Sequence, residues 1–277
     1  MIAQVACMLL VGAAHCAADA EAEKALAPKQ SVALFSGNDL SGLYTWLADT
    51  KRKDPRGVFT VKDGVIRISG DGFGYLATEK AWRDYHLIVE MRWRERNWRN
   101  RVGKARDSGI FLHATGEDGN SFDGNGAYMA AIECNVMEGA TGDFLLIKGK
   151  IDGKAFSPRV TARANAQRDA DGWLSFDPEG KPQTLDNGGR INWFHKDTGW
   201  RDAFGFRGGR DVESKPGQWN TIECICRGDR ITIRVNGKLV NEATEVHPSQ
   251  GRILIQCEGS ELFVRRFELK PLDQEGR

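Results

Sequence analysis

No two cysteines of this sequence are spaced as CxxC, so a structural zinc site lacks its usual ligands. There is no Walker loop, no GxSxG elbow and no HExxH, which leaves P-loop, α/β-hydrolase and zincin chemistries unsupported. Charge of one sign is also missing: the formal net charge is +1, giving no overall pull toward nucleic acid or an anionic membrane. No amphipathic helical stretch of convincing length occurs. The apolar run in Met1–Ala20 is too short to span a bilayer as a mature helix. No Lys or Arg precedes Lys24, so the positive start of an export signal is absent. The small residues around Cys16–Ala20 still read as a signal-peptide cleavage region, with residues 21–30 a charged linker. Export is therefore expected, to the periplasm or outside the cell, by cleavage rather than by a lipid anchor at Cys16.

What the sequence does have is glycine, 32 in 277 residues, and many short apolar runs bounded by turn residues. The segment Tyr85–Arg94 alternates cleanly, and Asp63-Gly64 and Asn236-Gly237 mark hairpins. The reading is one all-β domain over residues 31–271, a sandwich or barrel, with a stretch at 150–216 that shows no regular pattern. That stretch carries Trp193, His195 and Trp200 and reads as a lid or inserted subdomain. Four cysteines lie beyond residue 30: Cys134, Cys224, Cys226 and Cys257. They read as buried small hydrophobes, a cross-strand disulfide being the alternative.

The run DSGIFLHATG places Gly109, Phe111 and His113 on one strand face, and AAIECNVM places Glu133, Asn135 and Met137 on another. A histidine and a carboxylate then meet on a polar face, with His113 and Glu133 as candidate catalytic residues. Near the end of the chain Gln256 and Glu258 share a face, opposed by Cys257. A structural histidine is the ordinary alternative for His113. The loop GEDGNSFDGNG fails the EF-hand spacing at Phe122 and reads as a surface turn. Residues 92–106 hold seven basic side chains with Trp93 and Trp98 among them. They read as a solvated strand end and loop rather than a nucleic-acid site, with binding of an anionic group the intermediate reading.

The series LFSGNDLSG, VKDGVIR, DSGIFLHATG, IECNVMEGATGDF, PGQWNTIECICRGDRITIRVNGKLV and ILIQCEGSELFVRRFELKPL resembles the secreted 3-keto-disaccharide hydrolase family, also described as a 3-keto-glucoside 1,2-lyase and 3-keto-2-hydroxy-glucal hydratase domain. The resemblance covers about residues 31–149 and 216–271 and implies a concanavalin A-like jelly-roll sandwich acting on sugars oxidised at C3. Glu133 falls on the family's Glu, and Asn135 stands where Gln is common. His113 and Glu258 match the branch this sequence most resembles, and other branches carry Arg and His respectively. A ketone at C3 acidifies the C2 hydrogen, so a base, an acid for the leaving oxygen and enolate stabilisation are required. A divalent metal ion held by such groups would polarise the ketone, with no ligand set legible. The expected partner is a carbohydrate, contacted by Asn135, Gln256, Glu258, Trp193 and His195. A carbohydrate-binding module of the same fold, and a retaining glycosidase pairing Glu133 with Glu258, are the alternatives.

Overall fold

Alternation of apolar and polar residues with a period of two builds almost the whole chain from strands. The computed structural model describes residues 24–122 and 126–272; the expected signal sequence lies outside them. In chain order the strands are β1 (Val32–Ala33), β2 (Leu43–Leu47), β3 (Phe59–Lys62), β4 (Val65–Ile68), β5 (Phe73–Thr78), β6 (Tyr85–Asn97), β7 (Asp107–Thr115), β8 (Ala130–Met137), β9 (Phe144–Ile147) and β10 (Gly149–Ile151). They continue as β11 (Lys154–Phe156), β12 (Arg159–Arg168), β13 (Leu174–Phe176), β14 (Lys181–Leu185), β15 (Arg190–Asn192), β16 (Asn220–Arg227), β17 (Arg230–Val235), β18 (Lys238–His247), β19 (Arg252–Glu258) and β20 (Ser260–Pro271). A single 3₁₀ turn, Arg99–Arg101, is the one helical element among the described residues. None there is long and apolar enough to cross a membrane.

The strands form an all-β jelly-roll sandwich. The front sheet runs β2-β5-β19-β7-β8-β9-β15-β13-β12-β14, and the back sheet runs β3-β4-β20-β6-β16-β17-β18. Strand β12 also pairs with β18, so the two sheets join along one edge. Within 150–216 the chain forms strands β11–β15, of which β12 is ten residues long, so this stretch is more regular than its sequence pattern indicates; residues 193–219 carry no strand. The core lies between the sheets. Ile110, Ile132, Cys134, Phe144 and Ile255 from the front meet Leu87, Val89, Ile222, Cys224 and Val264 from the back. All four cysteines are buried and unpaired as disulfides. The front sheet's other face is concave and carries its own cluster of Tyr75, Phe111, Tyr128 and Leu254.

One irregularity decides the fate of His113. Pairing of β7 with both β8 and β19 shifts after Leu112 and Phe111 respectively. His113 takes φ 56°, the left-handed conformation that non-glycine residues rarely adopt. The extra residue is a β-bulge, and beyond it the faces exchange. Phe111 and Ala114 both face the concave side, whereas His113 is fully buried and packs edge-on to Tyr85 of β6 at 5.9 Å. Its Nδ1–H donates to the Pro248 carbonyl at 2.9 Å. The expected meeting of His113 with Glu133 therefore does not occur, because period-two alternation fails at a bulge.

Burial depresses the His113 pKa to about 4. The unfolded chain takes up this proton at about 6.5 and the folded chain only near 4. Stability attributable to this residue is intact above pH 6.5 and falls as pH drops toward 4, by about 3 kcal/mol. Urea unfolding of wild type and His113→Leu across that window should show the difference shrinking toward low pH. A constant difference would place the histidine outside the core.

Candidate active site

The concave face is assembled by register. Gln256 of β19 stands opposite Tyr75 of β5, and Tyr75 opposite Trp46 of β2. Phe111 of β7 stands opposite Glu133 of β8, and Gly109 opposite Asn135. Leu145 of β9 flanks Glu133, and Arg190 of β15 flanks Leu145. Glu133, Asn135, Gln256 and Glu258 thus share one side, while Cys134 and Cys257 point into the inter-sheet core.

Gly109 makes the centre possible. A Cβ there would collide with the Glu133 carboxylate and come within 3.0 Å of Gln256 Oε1. Without a side chain at this point, two polar groups from flanking strands close over the backbone of the middle one. Gln256 Nε2 donates to Glu258 Oε2 at 2.6 Å. Two residues before Gly109, on the same face, Asp107 approaches Arg101 at 3.5 Å. Glu133, Asn135, Gln256, Asp107 and Tyr128 are all buried. Glu258, Phe73, Leu145 and Arg190 are partly exposed, so the face opens to solvent on that side.

Burying several carboxyls together disfavours their ionisation. Desolvation pushes Glu258 well above the ordinary carboxylate range, reinforced by Asp107 and Glu133 and opposed by Arg101. Asp107 rises to about 7 through desolvation, with Arg101 and Arg190 pulling the other way. The Tyr128 phenol is raised by burial and then by Glu258. Three polar atoms here are buried without a hydrogen-bond partner among the described residues: Asn135 Nδ2, Gln256 Oε1 and Tyr128 OH. Buried polar atoms without partners next to carboxyls of raised pKa make this face the candidate site.

An aromatic wall continues the face. Trp46 stacks near-parallel to Tyr75 at 6.5 Å, and Tyr44 meets Tyr75 edge-on at 6.3 Å. Asp118 accepts hydrogen bonds from both tyrosine hydroxyls, at 2.6 and 2.8 Å, tying the 116–122 loop to the wall.

Two expected contact residues lie elsewhere. The Trp193 indole is in the inter-sheet core and donates to the Gly139 carbonyl. His195 stacks on Phe194 at 3.7 Å and faces Arg210, in a separate cleft of ≈ 620 Å³. Both sit in the strandless stretch after β15, where no alternation places a side chain. Asp107, Tyr128, Arg101 and Arg190 were not anticipated. Asp107 was within reach of the period-two pattern, being two residues from Gly109; the other three depend on loop path and distant register. As for a metal, no three His, Cys, Asp or Glu side chains among the described residues are grouped to hold an ion.

No curated protein matches the chain. Among solved structures it is similar to a protein of Parabacteroides distasonis described as a glycosyl hydrolase, at 14% identity and TM-score 0.49, covering 88% of this chain and 94% of that one. A carbohydrate-binding module of Bacillus subtilis is similar at 10% identity and TM-score 0.45, covering 83% and 96%. The β-glucanase of Bacillus licheniformis is similar at 10% identity and TM-score 0.42, covering 88% and 99%. The profile of one family, described as the 3-keto-alpha-glucoside-1,2-lyase-like domain, matches residues 30–270. The chain belongs to that family and is a carbohydrate-processing domain.

Proposed function

We propose that the concave face cleaves 3-keto-glycosides by elimination across C1–C2 followed by hydration, a net hydrolysis. The observation that carries this reading is that Glu133 and Glu258 share one face, where burial and the neighbouring carboxyls raise the Glu258 pKa. Elimination needs a base and an acid at once, and two carboxyls on one face supply them. The C3 ketone makes the C2 hydrogen removable. Glu133 takes that proton, the C1–O bond breaks, and Glu258 gives its proton to the departing oxygen. Asn135 Nδ2 and Tyr128 OH, buried donors without partners among the described residues, stabilise the enolate oxygen in this reading. Hydration runs the same groups in reverse. Glu258, now ionised, takes a proton from water as the oxygen adds to C1, and Glu133 returns its proton to C2. The enzyme ends in its starting state. His113, on the other side of the sheet, takes no part, and no step runs through a metal ion.

The test offers the purified protein a 3-keto-glycoside and its unoxidised parent, with and without chelator. Release of aglycone from the keto sugar alone, unchanged by chelator, is expected. Glu133→Gln and Glu258→Gln should each fold and lose turnover by about two to four orders of magnitude. Gly109→Ala should also lose turnover, because its methyl displaces the Glu133 carboxylate; His113→Leu should not. Equal cleavage of the unoxidised parent would favour a paired-carboxylate glycosidase, and binding without turnover a carbohydrate-binding module. Loss of activity on chelation would restore the metal to the mechanism.

The same reading includes export. The mature N-terminus is expected between Ala17 and Glu21. N-terminal sequencing of exported protein that still began at Met1 would contradict cleavage.

A further inference from the structure

The outer face of the back sheet carries a second arrangement that the carboxyl cluster does not use. On β6, Met91 and Trp93 point into the core, so Arg92, Arg94 and Arg96 point outward. Strand β20 sets Phe263 opposite Arg92, and the turn before β16 adds Trp219. The side chains interleave. The Arg94 guanidinium lies over Phe263 at 5.1 Å, and Arg92 lies over Phe263 at 5.4 Å and over Trp219 at 4.6 Å. Arg265 lies over Trp219 at 4.4 Å. The order is Arg94, Phe263, Arg92, Trp219, Arg265: a ladder in which one ring separates each pair of guanidiniums.

Arg265 is paired with Glu90 at 2.6 Å. Arg92, Arg94 and Arg96 have no ion pair among the described residues, and Arg92 Nε is buried without a hydrogen-bond partner. Stacking fixes the flat faces of the guanidiniums, and the exposed Arg94 and Arg96 keep N–H edges open to solvent while Arg92 Nε is buried. Such edges match planar carboxylate and sulfate oxygens in bidentate fashion.

We propose that this ladder is a docking surface for an anionic polysaccharide, a chain bearing sulfate or uronate groups, bound away from the concave site. The choice of a glycan rests on the carbohydrate-processing reading of the domain, and one observation argues against a nucleic acid. Single-stranded nucleic acid is held largely by bases stacking on open aromatic faces. Here Phe263 and Trp219 already have guanidiniums over their rings. The two faces of the sandwich are separate, so docking here holds a polymer without occupying the carboxyl cluster.

The test measures binding of the full chain to dextran sulfate, polygalacturonate and neutral dextran, with polyglutamate and oligo-dT as charge-matched controls. Binding to one or both anionic glycans, absent for neutral dextran and weakening with salt, is expected. Arg92→Gln/Arg94→Gln should weaken it by about tenfold or more. Arg94→Gln/Arg96→Gln changes only exposed side chains and should weaken it while leaving the fold intact. Both variants should turn over a small 3-keto-glycoside at the wild-type rate, and Glu133→Gln should bind the polymer normally. These readouts separate a failure of docking from a failure of the catalytic reading. Binding to neither glycan, unchanged binding in both arginine variants, or equal binding to polyglutamate or oligo-dT would overturn the proposal.

Discussion

The candidate site depends on one constraint: carboxyl groups from three neighbouring strands are buried together over a residue with no side chain. Glu258, Asp107 and Glu133 cannot all ionise at low cost when removed from water, even with Arg101 beside Asp107 and Arg190 within electrostatic reach. Protonation relieves the repulsion, which is why Glu258 keeps its proton above the ordinary carboxylate range. Gly109 is the geometric condition for this closeness, since any Cβ there meets the Glu133 carboxylate.

The rest of the sandwich serves this arrangement. The inter-sheet core holds β19, β7 and β8 side by side, with Ile255, Ile110 and Cys134 packed behind the polar residues. Strand β15 enters the same sheet through β9 and delivers Arg190 to the rim. The outward face of the back sheet is free of these duties and carries the arginine ladder instead.

Much of this was legible in the sequence where strands run regularly. Glu133 and Asn135 lie two apart on β8, and Gln256 and Glu258 two apart on β19. Neither strand is bulged between them, so alternation alone put each pair on one face. His113 was misplaced because the bulge after Leu112 inserts a residue, and nothing in LHAT signals it. The strain at His113, φ 56°, is visible only in the folded backbone. Trp193 and His195 belong to a stretch without strands, where neither periodicity nor register assigns a side. Tyr128, Arg101 and Arg190 reach the site by loop path and sheet order, which are properties of the whole fold. Resemblance to a family supplied the jelly roll and the chemistry, but not the exclusion of His113.

Burial among other carboxyls holds Glu258 as a carboxylic acid above the ordinary carboxylate range. Infrared difference spectroscopy on protein carrying isotope-labelled glutamate carboxyls, wild type against Glu258→Gln, measures this directly. A protonated-carboxyl band that persists in the wild type above the ordinary glutamate range, and is missing from the variant, is expected. A wild-type spectrum with fully ionised glutamates everywhere above that range would contradict it.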